Sequence, residues 1–314
     1  MGQMCKLPSY KIIDSIVSLE AAKQKSGWSI TAFNLPDTWQ FTQGEGVKVA
    51  ILDTGCDLDH PDLVDNLLPG INLIDTNKQP EDDNMHGTHV TGIVCAENNE
   101  IGMVGIAPKS KVIPVKVLEA NGSGDLDTVA AGIKWAVDNG ADIIGMSLGS
   151  PRPTDQLTES IKYAESKGVP IFCAAGNAGK TREIFYPANY PETIAVGSID
   201  ENFDRSVFSN TGDNLDFMAP GKEIFSTVPD NWYSVLSGTS MACPFVVGVA
   251  ALLLSYVRNH PSCGIKLSSA EDYRNALRQY TIPINDKDFA GKRFFQGFGI
   301  IDTRRFDEWI HQNP

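Results

Sequence analysis

Three short segments of this chain carry an acid, a base and a hydroxyl, the groups that nucleophilic hydrolysis requires. The residues are Asp53 in the run Ile-Leu-Asp-Thr-Gly, His86 in His-Gly-Thr-His-Val and Ser240 in Gly-Thr-Ser-Met-Ala. A hydroxyl is a poor nucleophile near neutral pH unless an imidazole accepts its proton and a carboxylate orients that imidazole. The three residue types therefore indicate a hydrolase with Ser240 as its nucleophile.

Each of these residues also has an ordinary structural explanation. Asp53 follows the β-rich run 47–52 and begins an Asp-Thr-Gly segment that is typical of a turn. A single histidine such as His86 is more often a surface or hydrogen-bonded residue. Ser240 precedes the apolar run 246–254 and could simply cap a helix. The three explanations fail together, because all three motifs are long and their chain order is Asp, His, Ser, the order found in subtilisin.

With these motifs the chain resembles the subtilisin-like serine proteases, or subtilases, and is most similar in pattern to the intracellular subtilisins. The resemblance extends from about Gln24 to Ile301. It implies an α/β fold of three layers, with a mostly parallel central sheet flanked by helices. It also implies endopeptide hydrolysis through an acyl-enzyme, with Asn177 donating to the oxyanion of the tetrahedral intermediate.

The hydrophobic pattern independently predicts an α/β fold. β-rich runs at 47–52, 111–117, 142–146, 170–174 and 193–196 alternate with helical patterns at 86–96, 125–139, 154–167 and 240–257. Such alternation predicts parallel strands joined by crossover helices, with a functional site at the carboxyl ends of the strands. Asp53 directly follows the first of these strands, as this arrangement requires.

The resemblance also implies a cleft that binds substrate as an extended backbone. Its residues would be Gly122, Ser123, Gly124, Leu126, Ser147, Leu148 and Gly149, with Phe185 at the base of the primary pocket. Glycine-rich strand ends allow another backbone to approach closely, which suits this role. The bond between Tyr186 and Pro187 is a candidate for the cis form, which is almost confined to bonds before proline.

A calcium site follows from the same resemblance. The side chains of Gln24, Asp62 and Asn99 and the carbonyl groups of Glu97, Ile101 and Met103 would hold Ca²⁺. Calcium takes six to eight oxygen ligands of these kinds, although a polar loop such as 97–103 is by itself an ordinary turn. A weaker cation site is expected near Ala188, Tyr190, Thr193 and Asp216.

Composition restricts the partners and the compartment. The chain has 314 residues and a formal net charge of −13, which argues against nucleic acid as a partner. No apolar run approaches the roughly 18 residues of a membrane span, and the N-terminus lacks a signal-peptide pattern. The six cysteines lack disulfide or zinc spacing. Free thiols fit a cytoplasmic protein.

An N-terminal extension, residues 1–22, precedes a catalytic domain expected at 23–314. Its segment Leu7-Pro8-Ser9-Tyr10 resembles the Leu-Ile-Pro-Tyr segment of intracellular subtilisins, whose extension lies across the cleft and blocks it. The match is imperfect because Ser9 separates Pro8 from Tyr10. Proline in a terminal arm is also common in disordered tails. The resemblance implies a zymogen with a removable, inhibitory extension.

Three other interpretations stay open at this point: a catalytically inactive subtilase fold that binds proteins, a secreted subtilase, and a dinucleotide-binding protein. Gly122-Ser123-Gly124 lacks the following glycine of the dinucleotide fingerprint, which weakens the last interpretation. The complete set of Asp53, His86, Asn177 and Ser240 favours an enzyme. Intracellular subtilisins tend to be dimers, so the analogy also suggests a homodimer.

Overall fold

A computed structural model of the chain describes residues 2–9, 11–12, 17–18, 24–179, 181 and 183–312. Strands and helices alternate through most of this part of the chain. The strands are β1 (Met4–Lys6), β2 (Lys11–Ile12), β3 (Val17–Ser18), β4 (Lys48–Asp53), β5 (Ile71–Asn72), β6 (Lys111–Lys116), β7 (Ser123–Asp125), β8 (Ile143–Met146), β9 (Ile171–Ala174), β10 (Thr193–Ile199), β11 (Leu215–Pro220), β12 (Ile224–Val228), β13 (Trp232–Ser237), β14 (Thr281–Ile282) and β15 (Ile300–Ile301). The helices are α1 (Trp28–Thr31), α2 (Leu35–Thr38), α3 (His86–Cys95), α4 (Leu126–Asp138), α5 (Asp155–Ser166), α6 (Thr239–Asn259), α7 (Ala270–Leu277), α8 (Arg293–Gln296) and α9 (Thr303–Gln312).

The central sheet has nine strands in the order β14-β15-β11-β10-β9-β8-β4-β6-β5. Its pairs are parallel except for β14 with β15 at one edge. α3 and α6 pack against each other, and α4 packs against α5. α3, α4 and α6 also contact the sheet, so helices flank it in three layers. The predicted fold class is confirmed. β8 and β9 are buried along their whole length, which explains their continuous apolar sequences.

Helix α6 is the core of the domain. It has 21 residues. The mean hydropathy of its most apolar 18-residue stretch is 2.0, and 94% of that stretch is buried inside the protein. The expectation that no segment approaches the length and apolarity of a membrane span is therefore wrong for α6. The apolar faces of this helix pack on β8, β9, β10 and β11 instead, as in the core helix of a globular domain.

The extension forms strands outside the central sheet. β1 pairs with β7 in antiparallel register, and β2 and β3 both pair with β13, whose other edge pairs with β12. The described part of residues 1–22 therefore lies along two separate strands, β7 and β13.

The last helix, α9, is fixed to α2 by a buried carboxylate. Thr38 Oγ1 donates to Asp307 Oδ1 at 2.7 Å, and Asp307 is only 8% exposed. Burial raises the pKa of Asp307 to about 6, and the hydrogen bond from Thr38 opposes this effect only in part. Ionised Asp307 therefore carries an energetic cost in the folded protein.

We expect Asp307→Asn to change the pH dependence of stability. Because the folded pKa lies above the ordinary value of about 3.9, the contribution of Asp307 to stability is fully present below that value and is lost as pH rises through about 6. The variant should therefore be most stable, relative to the unmodified protein, at neutral pH. Urea unfolding between about pH 4 and 7 measures this difference. The exposed control Asp288→Asn should show a constant difference, and a constant difference for Asp307→Asn would contradict the account.

Candidate active site

The first half of the site is a buried carboxylate and imidazole pair. His86 Nδ1 lies 2.8 Å from Asp53 Oδ1, and the two side chains are 0% and 1% exposed. Asp53 ends β4 and His86 begins α3, so the sheet edge and a helix start bring them together. The backbone N–H of Thr54 donates to the same Asp53 oxygen at 2.8 Å. A proton on Nδ1 leaves Nε2 as the basic nitrogen of the ring.

The glycines beside these two residues allow the strand end and the helix start to meet. A Cβ atom on Gly87 would lie 2.1 Å from the carbonyl oxygen of Gly55, a distance that no side chain tolerates. Gly55 itself has a φ of 111°, a conformation that favours glycine. The Asp-Thr-Gly and His-Gly-Thr motifs are therefore packed directly against each other.

Asp82, which the sequence argument missed, orients both motifs. Its buried carboxylate accepts hydrogen bonds from the Thr54 hydroxyl at 2.8 Å and from the Thr88 hydroxyl at 2.6 Å. It also accepts from the backbone N–H groups of Asn84 and Met85, which lead into His86. Asp82 is therefore a positioning residue for the turn that carries the imidazole.

The second half of the site joins Ser240 to Asn177 through Thr239. The Thr239 N–H and hydroxyl both donate to Asn177 Oδ1, at 2.8 and 2.7 Å. This fixes the amide so that its Nδ2 donates to the carbonyl oxygen of Ser9 at 2.9 Å. Ser240 is fully buried in the first turn of α6, whose N-terminus favours negative charge.

Ser147 connects the two halves. Met146 pairs with Leu52 in adjacent parallel strands, so the next residues, Ser147 and Asp53, leave the same sheet edge. The Ser147 hydroxyl donates to the Ser240 carbonyl at 3.0 Å, and the Ser240 hydroxyl donates to the Ser147 carbonyl at 3.4 Å. The structure thus brings Asp53, His86, Asn177 and Ser240 to one edge of the sheet.

The predicted cleft residues bind a backbone in this structure, and that backbone belongs to the extension. The N–H of Lys6 donates to the Gly149 carbonyl at 3.0 Å, and the Gly149 N–H returns a bond of 2.9 Å to the Lys6 carbonyl. Leu7 N–H donates to the Gly122 carbonyl at 2.9 Å, and β1 pairs with Ser123 and Gly124 of β7. The side chains of Leu126 and Leu148 are fully buried, and the Leu126 N–H donates to the Gln3 carbonyl of the extension at 2.9 Å.

Phe185 lies close to two glycines, Gly149 of the cleft and Gly176 beside Asn177. A Cβ atom on Gly149 would lie 3.1 Å from Phe185 Cβ, and one on Gly176 would lie 3.1 Å from Phe185 Cδ2. The bond between Tyr186 and Pro187 is cis, as expected. Phe185 thus packs close to the backbone of both glycines, and its role at the base of the primary pocket stays a prediction.

The residues expected to bind calcium are linked to one another. Gln24 Nε2 donates to the carbonyls of Glu97 and Met103 at 2.9 and 3.2 Å, and Asn99 Nδ2 donates to Asp62 at 3.0 Å. The Ile101 N–H donates to Asn99 Oδ1 at 3.2 Å. Two carbonyl oxygens, a carboxylate and two amide side chains thus form one hydrogen-bonded group, with oxygen atoms of the kinds that calcium takes. This oxygen-rich set fits calcium.

The weaker cation site has a different occupant. Arg274 Nε donates to Asp216 at 3.0 Å, and its Nη2 donates to the carbonyls of Pro191, at 2.7 Å, and of Thr193. The protein's own guanidinium therefore already contacts Asp216 and Thr193. Arg274 thus supplies positive charge at these residues, and a second bound cation there stays a prediction.

All six cysteines are free thiols, as expected from their spacing. Cys5, Cys56, Cys95, Cys173 and Cys243 are buried. Burial raises the pKa of Cys243 to about 12, so this thiol near Ser240 stays protonated. It acts as a packing residue.

Comparison with known proteins agrees with this geometry. The subtilase family profile matches residues 44–299. The chain is 44% identical over 261 residues to an intracellular serine protease of Paenibacillus polymyxa, covering 80% of this chain and 78% of that protein. It is 42% identical over 276 residues to the major intracellular serine protease of Bacillus subtilis, covering 84% and 86%. Thermitase of Thermoactinomyces vulgaris is 43% identical over 238 residues, covering 76% and 85%. The chain belongs to the subtilase family of serine proteases.

Proposed function

We propose that this protease hydrolyses peptide bonds through an acyl-enzyme formed on Ser240. The Ser240 hydroxyl attacks the substrate carbonyl while His86 accepts its proton, and Asp53 holds the imidazole and stabilises its charged form. His86 then gives the proton to the leaving amine. A water molecule, activated in the same way, releases the acyl group.

The observation that carries this proposal is the backbone carbonyl already bound by Asn177. Asn177 Nδ2 donates to the Ser9 carbonyl oxygen at 2.9 Å, in a cleft where Gly122 and Gly149 pair with the same chain segment. Such a donor stabilises the oxygen most strongly when it gains negative charge in the tetrahedral intermediate. The backbone N–H of Ser240, at the start of α6, would be the second donor.

Replacing Asn177 with Leu should lower kcat by about 10²–10³, the range established for loss of this donor in subtilisin itself. KM should change little, because the lost hydrogen bond acts mainly on the transition state. Initial rates on a short chromogenic peptide measure both constants in enzyme freed of its extension. The matched variant Asn189→Leu alters an asparagine outside the site and should keep kcat. An unchanged kcat for Asn177→Leu would show that another group stabilises the oxyanion.

We also propose that the extension inhibits the enzyme by occupying the cleft out of register. Lys6 pairs with Gly149, so antiparallel register places Pro8 opposite Ser147. Proline has no N–H to donate to the Ser147 carbonyl, and that carbonyl accepts the Ser240 hydroxyl instead. The carbonyl at Asn177 belongs to Ser9, one residue beyond Pro8. Tyr10, the last residue of the predicted inhibitory segment, lies outside the described residues.

This register separates two requirements of cleavage. In an ordinary substrate, we expect the residue opposite Ser147 to present its own carbonyl to Asn177. In the extension, Pro8 lies opposite Ser147, but Ser9 presents its carbonyl to Asn177. The peptide bond at the oxyanion site is therefore displaced by one residue relative to the backbone pairing. A tethered segment of this kind inhibits strongly even when its intrinsic affinity is weak, because its effective concentration is high.

Deleting residues 2–18 should therefore give an enzyme that is active from the first measurement. The full-length protein should show a lag in peptide hydrolysis that ends when its extension is cut, detected by mass spectrometry. Full-length Ser240→Ala, incubated alone, is the control and should stay uncut. Equal initial rates for the truncated and freshly purified full-length proteins would show that the extension is a passive tail.

We propose that Gln24, Asp62 and Asn99, with the carbonyls of Glu97, Ile101 and Met103, hold one Ca²⁺ that stabilises the fold. The ion would tie the start of the catalytic domain to the loop after α3. Burial raises the pKa of Asp62 although Met103, Tyr233 and Asn99 all donate to it. A nearby cation would offset the cost of this buried carboxylate.

Two of the relatives are named intracellular serine proteases, and these names support a cytoplasmic location for this chain.

Removing calcium should lower the melting temperature, because an ion bound only by the folded state adds about 2.7 kcal/mol at 100 times its Kd. Calorimetry with and without a chelator measures this shift. The double variant Asp62→Ala, Asn99→Ala should lose the response. The control Asp75→Ala, Asn77→Ala changes a similar pair in an exposed turn and should keep it. A full response in the first double variant would place the ion elsewhere.

A further inference from the structure

A pocket outside the active site lies at the opposite edge of the central sheet. Asp142 precedes β8, and Gly168 and Val169 precede β9, so this pocket adjoins the amino ends of both strands. Ser147 and Asn177 lie beyond the carboxyl ends of the same two strands. The pocket has a volume of about 470 Å³, which is within the range of small-molecule sites. A ligand bound here would leave the triad untouched.

Tyr273 brings an unpartnered hydroxyl group to this pocket. The residue is only 1% exposed, and its ring packs edge-on against Phe172. The described part of the chain gives its hydroxyl group no hydrogen-bond partner, and the side chain lines the pocket. Burial raises the pKa of this phenol well above its usual value, so the hydroxyl stays protonated and can donate. Because a buried donor without a partner is costly, an acceptor on a ligand would be favoured.

Lys167 adds a second donor to the pocket. Its ammonium group lies 5.5 Å from the centre of the Tyr163 ring and forms no ion pair with a carboxylate of the described residues. Arg258 is already engaged, because its Nη1 donates to Asp142 Oδ2 at 3.1 Å and its Nη2 donates to the other oxygen. Lys167 and Tyr273 therefore offer donors to a ligand, and a carboxylate is an acceptor that can use both.

The same pocket also favours positive charge. Asp138, the last residue of α4, is exposed, and one of its oxygens accepts a hydrogen bond from the Tyr163 hydroxyl. α4 and α5 both end at the pocket, and helix C-termini carry partial negative charge. The apolar part of the lining includes Val169, Leu254 and Leu267. An apolar ligand with both a carboxylate and an ammonium group would match these features.

We propose that this pocket binds short apolar peptides with free termini, with their carboxylate at Lys167 and Tyr273 and their ammonium group at Asp138. An endopeptidase produces such peptides when it degrades proteins extensively. The identity of the natural ligands as the enzyme's own products rests on the proposed function. The binding itself does not depend on hydrolysis.

The test follows the titration of leucyl-leucine by NMR into the isotopically labelled full chain with Ser240→Ala, so that no peptide is cut. The amide signals of Gly140 and Gly168, which line the pocket, should shift as the peptide binds. Leucyl-leucine amide lacks the carboxylate and should bind at least about tenfold more weakly, because hydrogen bonds to charged groups are the stronger ones. N-acetyl-leucyl-leucine lacks the ammonium group and should bind about threefold more weakly, as for a charge pair at an exposed site.

Variants of the pocket assign each part of the ligand. Lys167→Gln and Tyr273→Phe should each weaken binding of leucyl-leucine and leave binding of its amide almost unchanged. Asp138→Asn should remove the preference for the free amine over the acetylated form. The control Lys162→Gln changes an exposed lysine of the same helix, and Tyr280→Phe removes a buried hydroxyl that has no partner among the described residues. Both controls should bind like the parent.

Each part of the proposal has its own contrary result. Signals of Gly140 and Gly168 that do not move with leucyl-leucine would overturn the site. Equal affinities for leucyl-leucine and its amide would overturn recognition of the carboxylate, and equal affinities for the free and acetylated forms would overturn recognition of the ammonium group. Because every measurement uses the Ser240→Ala chain, none of these outcomes bears on hydrolysis, which Asn177→Leu tests separately.

Discussion

The hydrogen bond between Asp53 and His86 sets the requirements for the rest of the structure. Both side chains are buried, and Asp53 Oδ2 receives no hydrogen bond from the described part of the chain. Keeping a carboxylate and an imidazole away from water is costly unless both are held by directed partners. The large apolar core around α6 stabilises the fold against this cost. The parallel sheet then brings Ser147, Asn177 and Asp53 to a common edge without distorting that core.

Much of this arrangement could be predicted from the sequence. The five predicted strands and four predicted helices lie within a few residues of the observed ones, since their apolar periodicity is strong. Asp53, His86 and Ser240 stand out because each lies in a motif of glycine and small polar residues. Such motifs are needed where a strand end and a helix start touch, as Gly55 and Gly87 do.

The supporting residues could not be found in this way. Asp82 and Thr239 position the site through contacts with groups that sequence spacing does not reveal. Arg274 lies far along the chain from Asp216, so nothing local indicated that a guanidinium would take the place expected for a cation. The short strands β2, β3 and β5 also lack a periodic pattern, and they form because a partner strand is already in place. Contacts of this kind depend on the complete fold.

The extension lies along both the cleft and β13. Its contacts indicate that the cleft recognises the backbone of a bound chain more than its side chains. Its pairing with Gly122 and Gly149 is made by main-chain groups, and the inhibition proposed for it depends on a proline that cannot complete that pairing. Gln24, where the resemblance to subtilases begins, is bonded to the loop of the proposed calcium site. A cut before this residue would release the inhibitor and leave the ion's ligands intact.

Reaction of the extension-free enzyme with a fluorophosphonate tests the central claim most directly, because such a reagent bonds to an activated serine oxygen. Peptide mapping should find the phosphonyl group on Ser240 alone. A crystal structure of the adduct should show its phosphoryl oxygen within hydrogen-bonding distance of Asn177 Nδ2. A label on another serine, or none on an enzyme that still hydrolyses peptides, would contradict the assignment of Ser240 as the nucleophile.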